Sequence, residues 1–198
     1  MSKNIIVFDI ETQNAFSDVG GRQNLTDLKI SVLGAYFYKT NEYQIFEEKD
    51  LKEFEKTLQD RPLLVGFNSR KFDCPILQQY LTINLKNMPQ FDILEELTKI
   101  LGHRVSLDSV AQATLNKQKI GSGLDAIRYW NNGEIDKLKK YCLEDVRITK
   151  EVFEYGANKS EVFFISKFGN AKKQVAVNWK IEHPEENEES SKQQSFSF

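Results

Sequence analysis

Apolar residues run unbroken from Ile5 to Phe8, and the chain then alternates: Phe8-Asp9-Ile10-Glu11-Thr12. A short apolar run of this kind predicts a buried strand. Side chains alternate across a strand, so Asp9 and Glu11 are expected on one face. Residues 13–27 are polar and carry Gly20-Gly21, which predicts a loop. Residues 29–38 and 42–46 read as a second and third strand, joined through Lys39-Thr40-Asn41 as a hairpin. Leu51, Phe54 and Leu58 share one face of a helix over 51–58, with Asp50 as its expected cap and Arg61-Pro62 as its end.

Residues 63–68 predict a short fourth strand. A turn at 69–72 leads to a helix over 73–81, with Asp73 in the N-cap position and Pro75 in the first turn. Residues 91–93 predict a fifth strand. Helices are expected over 94–101, over 107–115 with Ser106 as cap, over 124–130 after the connection Gly121-Ser122-Gly123, and over 135–155. Residues 162–168 and 174–179 suggest either a terminal hairpin or a segment that wraps the core. Three antiparallel strands followed by alternating helix and strand predict an α/β fold, a mixed five-stranded sheet with parallel strands added and helices on both faces. No internal repeat is visible.

Composition adds little to this until the charges are placed. The 198-residue chain is 40% hydrophobic and 28% charged, ordinary for one globular domain, here read as 1–181. Its net charge of −2 argues against a polyanion partner. Five acids and one base lie in 182–198, however, and the remainder is +2. Residues 182–198 read as an acidic disordered tail, with docking on a protein partner as one possible use. Cys74 and Cys142 show neither zinc-ligand spacing nor a disulfide framework, and no apolar run reaches the roughly 18 residues of a membrane span. A cytoplasmic protein without a signal peptide is expected.

Three acidic stretches carry candidate chemistry. Two carboxylates side by side on a core strand repel one another, and a hard divalent cation between them relieves the cost. Asp73 follows a second core strand, in Asn68-Ser69-Arg70-Lys71-Phe72-Asp73. Tyr141 and Asp145 are one turn apart on the last helix, beside its apolar stripe. Each acid taken alone also has a plain reading: solvated strand end, helix cap, surface contact.

Together, Phe8-Asp9-Ile10-Glu11-Thr12, Gly66-Phe67-Asn68 with Phe72-Asp73, and Tyr141 with Asp145 resemble the three exonuclease motifs of the DEDD superfamily. The resemblance covers residues 4–155 and implies a ribonuclease H-like fold and 3′–5′ exonuclease activity. Tyrosine four residues before the last acid resembles the DEDDy branch; the other branch has histidine five before it, where this chain has Lys140. Leu107-Asp108-Ser109-Val110-Ala111 is similar to a stretch in the exonuclease domains of B-family DNA polymerases. The resemblance implies that Asp9, Glu11, Asp73 and Asp145 hold two Mg²⁺ or Mn²⁺, with Asp9 bridging, and that Tyr141 orients the attacking water.

Thr12, Asn68 and Phe72 are candidate contacts to the terminal nucleotide; Arg70, Lys71, Lys117 and Lys119 are candidate phosphate contacts. Local backbone bonding, core packing and solvation are their ordinary alternatives. Single-stranded DNA is the expected substrate and RNA the first alternative. A non-catalytic nucleic-acid-binding module and a small-molecule phosphatase are the others.

Overall fold

β1 (Ile5–Thr12) is the central strand of a five-stranded sheet. The computed structural model describes residues 4–117, 121–166 and 169–179. β1 pairs antiparallel with β2 (Ile30–Phe37) and parallel with β4 (Leu63–Gly66). β3 (Glu42–Glu47) flanks β2, and β5 (Gln90–Asp92) flanks β4, giving the order β3-β2-β1-β4-β5. This is the predicted mixed sheet. The β2–β3 turn is closed by Asn41, whose φ of 58° is left-handed and whose Oδ1 accepts a bond from the Tyr36 hydroxyl.

Alternation along β1 decides which helices cover which face. Ile6, Phe8 and Ile10 pack with α1 (Leu51–Thr57) and α2 (Asp73–Leu77). Ile5 and Val7 pack on the opposite face with α3 (Ile93–Leu101), α4 (Leu107–Leu115) and α6 (Ile135–Lys159). Burying one large side chain such as Phe8 contributes about 1.5–3 kcal/mol, so both layers matter for stability. α5 (Gly123–Asn131) lies against α6 and β1.

Several local expectations are corrected. Residues 13–27 are not a plain loop: they form 3₁₀ turns over Phe16–Val19 and Arg22–Asp27, the first held by the Asp18 carboxylate on the Ala15 N–H. Asp50 ends a 3₁₀ turn and makes no side-chain cap to α1. α2 stops at Leu77, short of 81, where the N–H groups of Gln79 and Tyr80 donate three residues back, to Ile76 and Leu77, and tighten the last turn; side chains hold the backbone after it. Gln78 Nε2 donates to the carbonyls of Leu81 and Ile83, and Glu55 accepts from the N–H groups of Thr82 and Ile83.

The terminal hairpin is present as β6 (Glu161–Ile165) and β7 (Lys172–Ala176), a separate two-stranded sheet. Ser109 and Thr114 of α4 bind its outer edge. Each hydroxyl donates to one carbonyl and accepts from the same residue's N–H, at Ile165 and Phe163 respectively. Past β7, Trp179 lies on α6 at Gly156, where any Cβ would sit 2.1 Å from the indole ring. Residues 182–198, read above as a tail, lie outside the described residues.

Candidate active site

The register of β1 aims its acids. Asp9 is paired with Gly34 and Glu11 with Val32, on the face that α6 covers. The ladder then shifts: Thr12 pairs with Ile30, leaving Ser31 as the extra residue of a bulge. Bulges re-aim neighbouring side chains, and this one ends regular pairing where Glu11 leaves the sheet.

α6 brings the third carboxylate. Its buried stripe runs Leu138, Tyr141, Cys142, Asp145, Val146 and Thr149, the i, i+3, i+4 spacing of one helical face. Gly34 lets that face settle on the sheet. A Cβ at residue 34 would lie 2.9 Å from Cys142 Sγ and 3.0 Å from Val146 Cγ2. Cys142 Sγ in turn sits 3.7 Å from the Asp9 carbonyl oxygen. The result is that Asp9, Glu11 and Asp145 each offer an oxygen within 4.8 Å of the others. Asp9 is half-buried; Glu11 and Asp145 are buried. Three converging carboxylates suit a hard divalent cation, which offsets their mutual repulsion. Burial raises the Cys142 thiol pKa, and the charges of Asp9, Glu11 and Asp145 raise it further, so the thiol stays protonated beneath them.

Asp73 stands beside this group without being in it. It is the first residue of α2 and not its cap; Phe72 holds the cap position. Its Oδ1 accepts the N–H of Ile10, between the two acids of β1, at 3.1 Å. Burial pushes its carboxyl up to about 7 against that hydrogen bond, and the Asp92 and Asp145 charges add to the rise. Tyr141, one turn before Asp145, is buried.

The expected substrate contacts are less uniform. Thr12 is buried, with its hydroxyl donating to the Asn14 carbonyl. Asn68 has a left-handed φ of 71°, and its Oδ1 accepts from Arg104. Phe72 is half-buried, edge-on to Phe16 at 6.0 Å. Arg70 and Lys71 are exposed; Arg70 donates to the Gln90 carbonyl and faces Glu95. Lys117 pairs with Glu151. Lys119 lies outside the described residues.

A family model described as the RNase_H superfamily matches residues 6–157, which is most of the chain. The chain belongs to the RNase_H superfamily. That superfamily match runs from the second residue of β1 through most of α6, and so includes Asp9, Glu11, Asp73 and Asp145. No curated protein is similar enough in sequence to count as a match. Among solved structures, RNase D of Trypanosoma brucei is similar, with a TM-score of 0.58 at 18% identity. The likeness covers 77% of this chain and 57% of that one, and at this identity it speaks for the fold.

Two residues of this candidate site were not singled out from sequence. Gly34 is one; a glycine inside an aromatic and β-branched strand is the available signal for close backbone approach. Asp92 is the other. Its Oδ1 accepts from the N–H groups of Asn68, Leu94 and Glu95, and its Oδ2 from that of Arg70. It caps α3 and fixes the 68–73 loop that delivers Asp73. An acid between a strand and a helix was its signal.

Proposed function

We propose that this protein is a metal-dependent 3′–5′ exonuclease, hydrolysing phosphodiester bonds from the 3′ end of single-stranded DNA. The observation that carries this reading is the approach of Asp9, Glu11 and Asp145 to within 4.8 Å in a chain of the RNase_H superfamily. In this reading Asp9, Glu11, Asp73 and Asp145 hold one or two Mg²⁺ or Mn²⁺. Such ions, when bound, lower the pKa of an attacking water and neutralise the leaving alkoxide. The chain's own residues do the positioning. β1 and α6 fix the carboxylates from opposite sides, and Asp73 is held in place through the Ile10 N–H. Tyr141 fixes the direction of the water. Thr12, Asn68 and Phe72 border the place of the terminal nucleotide.

RNA is the second reading, favoured by the likeness to an RNase D. The site chemistry acts on phosphate and serves either polymer. A time course on 3′- and 5′-labelled single- and double-stranded DNA and RNA, with and without Mn²⁺, tests both. Expected is stepwise shortening of 5′-labelled single-stranded DNA only with metal. Absence of metal-dependent hydrolysis on every substrate overturns the assignment, and faster RNA cleavage replaces the substrate.

A further inference from the structure

One cavity of the described residues, about 740 Å³, does not hold the acids. It is a groove beside α2, lined among others by Thr26, Arg70, Cys74, Pro75, Gln79 and Lys86. We propose that this groove is a track for the phosphate backbone of the single strand whose 3′ end occupies the acidic site, an inference that rests on the exonuclease reading.

Charge is segregated here in a way the net −2 conceals. From residue 61 to 91 the chain has four cations, Arg61, Arg70, Lys71 and Lys86, and one carboxylate, Asp73. Asp73 is only 3% exposed and is turned to Ile10, so the surface of this stretch carries positive charge alone. No carboxylate lines the groove. Arg61 and Arg70 each donate to a backbone carbonyl, of Asn87 and Gln90, which orients a guanidinium without neutralising it. Glu95 ion-pairs with Arg70 Nε at 3.3 Å and offsets part of its charge, and Glu55, beneath the 82–83 backbone, pairs with Lys52. Among the described residues Lys71 and Lys86 have no ion-pair partner.

The groove wall is also next to an acid of the site along the chain. Arg70 lies three residues before Asp73 in the loop that leads to α2, and Cys74 and Pro75 follow Asp73 directly in its first turn. Thr26 and Gln79 add neutral hydrogen-bonding groups, which with cations suit phosphate and sugar and read no base edge. The track is therefore expected to be indifferent to sequence.

The test uses the full chain in EDTA and fluorescence anisotropy with labelled oligo(dT) of three and fifteen nucleotides. Lys86 and Gln79 are exposed, which makes charge changes there compatible with folding. Lys86→Glu is expected to weaken the 15-mer about tenfold and to lower its log–log salt slope by at least about 0.7, the value of one phosphate contact on a single strand. The trimer is expected to change much less, and Gln79→Lys to tighten the 15-mer. Unchanged 15-mer binding in both variants overturns the track; if the wild type still trims the 15-mer with Mn²⁺, the exonuclease reading survives that failure. A synthetic peptide of residues 182–198 that binds the wild type but not Lys86→Glu, with 15-mer binding unaffected, overturns the track by giving the groove to an acidic peptide.

Discussion

Gly34 stands opposite Asp9 in the β1–β2 ladder, and the Cβ it lacks would lie 2.9 Å from the Cys142 sulfur. The approach of α6 to the sheet, and with it the distance from Asp145 to Asp9, is set by that missing atom. Gly34→Ala is expected to push α6 outward, at about 1–3 kcal/mol of overpacking. Mn²⁺ affinity should fall with it. Calorimetric titration of Mn²⁺ beside a urea melt checks both; unchanged Mn²⁺ affinity in a strained fold would show that α6 is held elsewhere.

Asp145→Asn removes one of three converging charges. Metal-dependent trimming of a labelled end should be abolished while the fold is kept. The metal-free variant should melt higher than the metal-free wild type, by ~2–4 °C for each kcal/mol of repulsion relieved. Tyr141→Phe is expected to slow turnover on the order of 10²-fold and to leave oligonucleotide affinity nearly unchanged. A change in affinity alone would remove the water-orienting role.

Asp92 ties two connections together through four backbone N–H groups. Asp92→Ala leaves these donors without their acceptor, at about 1–3 kcal/mol for each buried group that water does not reach. Loss of stability beyond 2 kcal/mol is expected, with faster amide exchange at Asn68 and Arg70. Exchange rates equal to wild type would mean that the loop is fixed without it.

Glu55 gives a pH signature away from the acids. Burial alone would raise its pKa, but bonds from the Thr82 hydroxyl, the Ile83 and Thr82 N–H groups and Lys52 bring it down to about 2. A carboxylate depressed in the folded state stabilises above its unfolded pKa, near 4.5, and loses that contribution as pH falls through 2. Glu55→Gln should therefore cost about 1–3 kcal/mol at pH 7, with the gap to wild type closing between about pH 4.5 and 2. Urea melts at pH 3 and 7 measure it, and a gap that does not depend on pH would assign the loss to packing.

Much of the fold was legible because its signals are local. Alternation in residues 5–12, the turn at 39–41, and Ser106 before α4, whose hydroxyl accepts the Ser109 N–H, are written in neighbouring residues. The pairing of Tyr141 with Asp145 on one buried face follows from helical period. What failed to show depends on partners far along the chain. Asp73 looked like a cap because the Ile10 N–H, which it binds, is 63 residues away. Nothing near Glu55 in the sequence marks it, because the Thr82 and Ile83 N–H groups that it binds lie 27 and 28 residues away. Gly34 gains its meaning only from Cys142, more than a hundred residues later.

The two hydroxyls that α4 lays along β6 have an effect beyond anchoring. Ser109 and Thr114 each use a lone pair and a proton on the strand, at residues 163 and 165, as a neighbouring strand would. An exposed strand margin invites pairing with other chains. Here a helix closes that margin with side chains, so the small sheet can recruit a third strand only along β7, where Lys172 and Lys173 discourage the like-charged copy from stacking against itself.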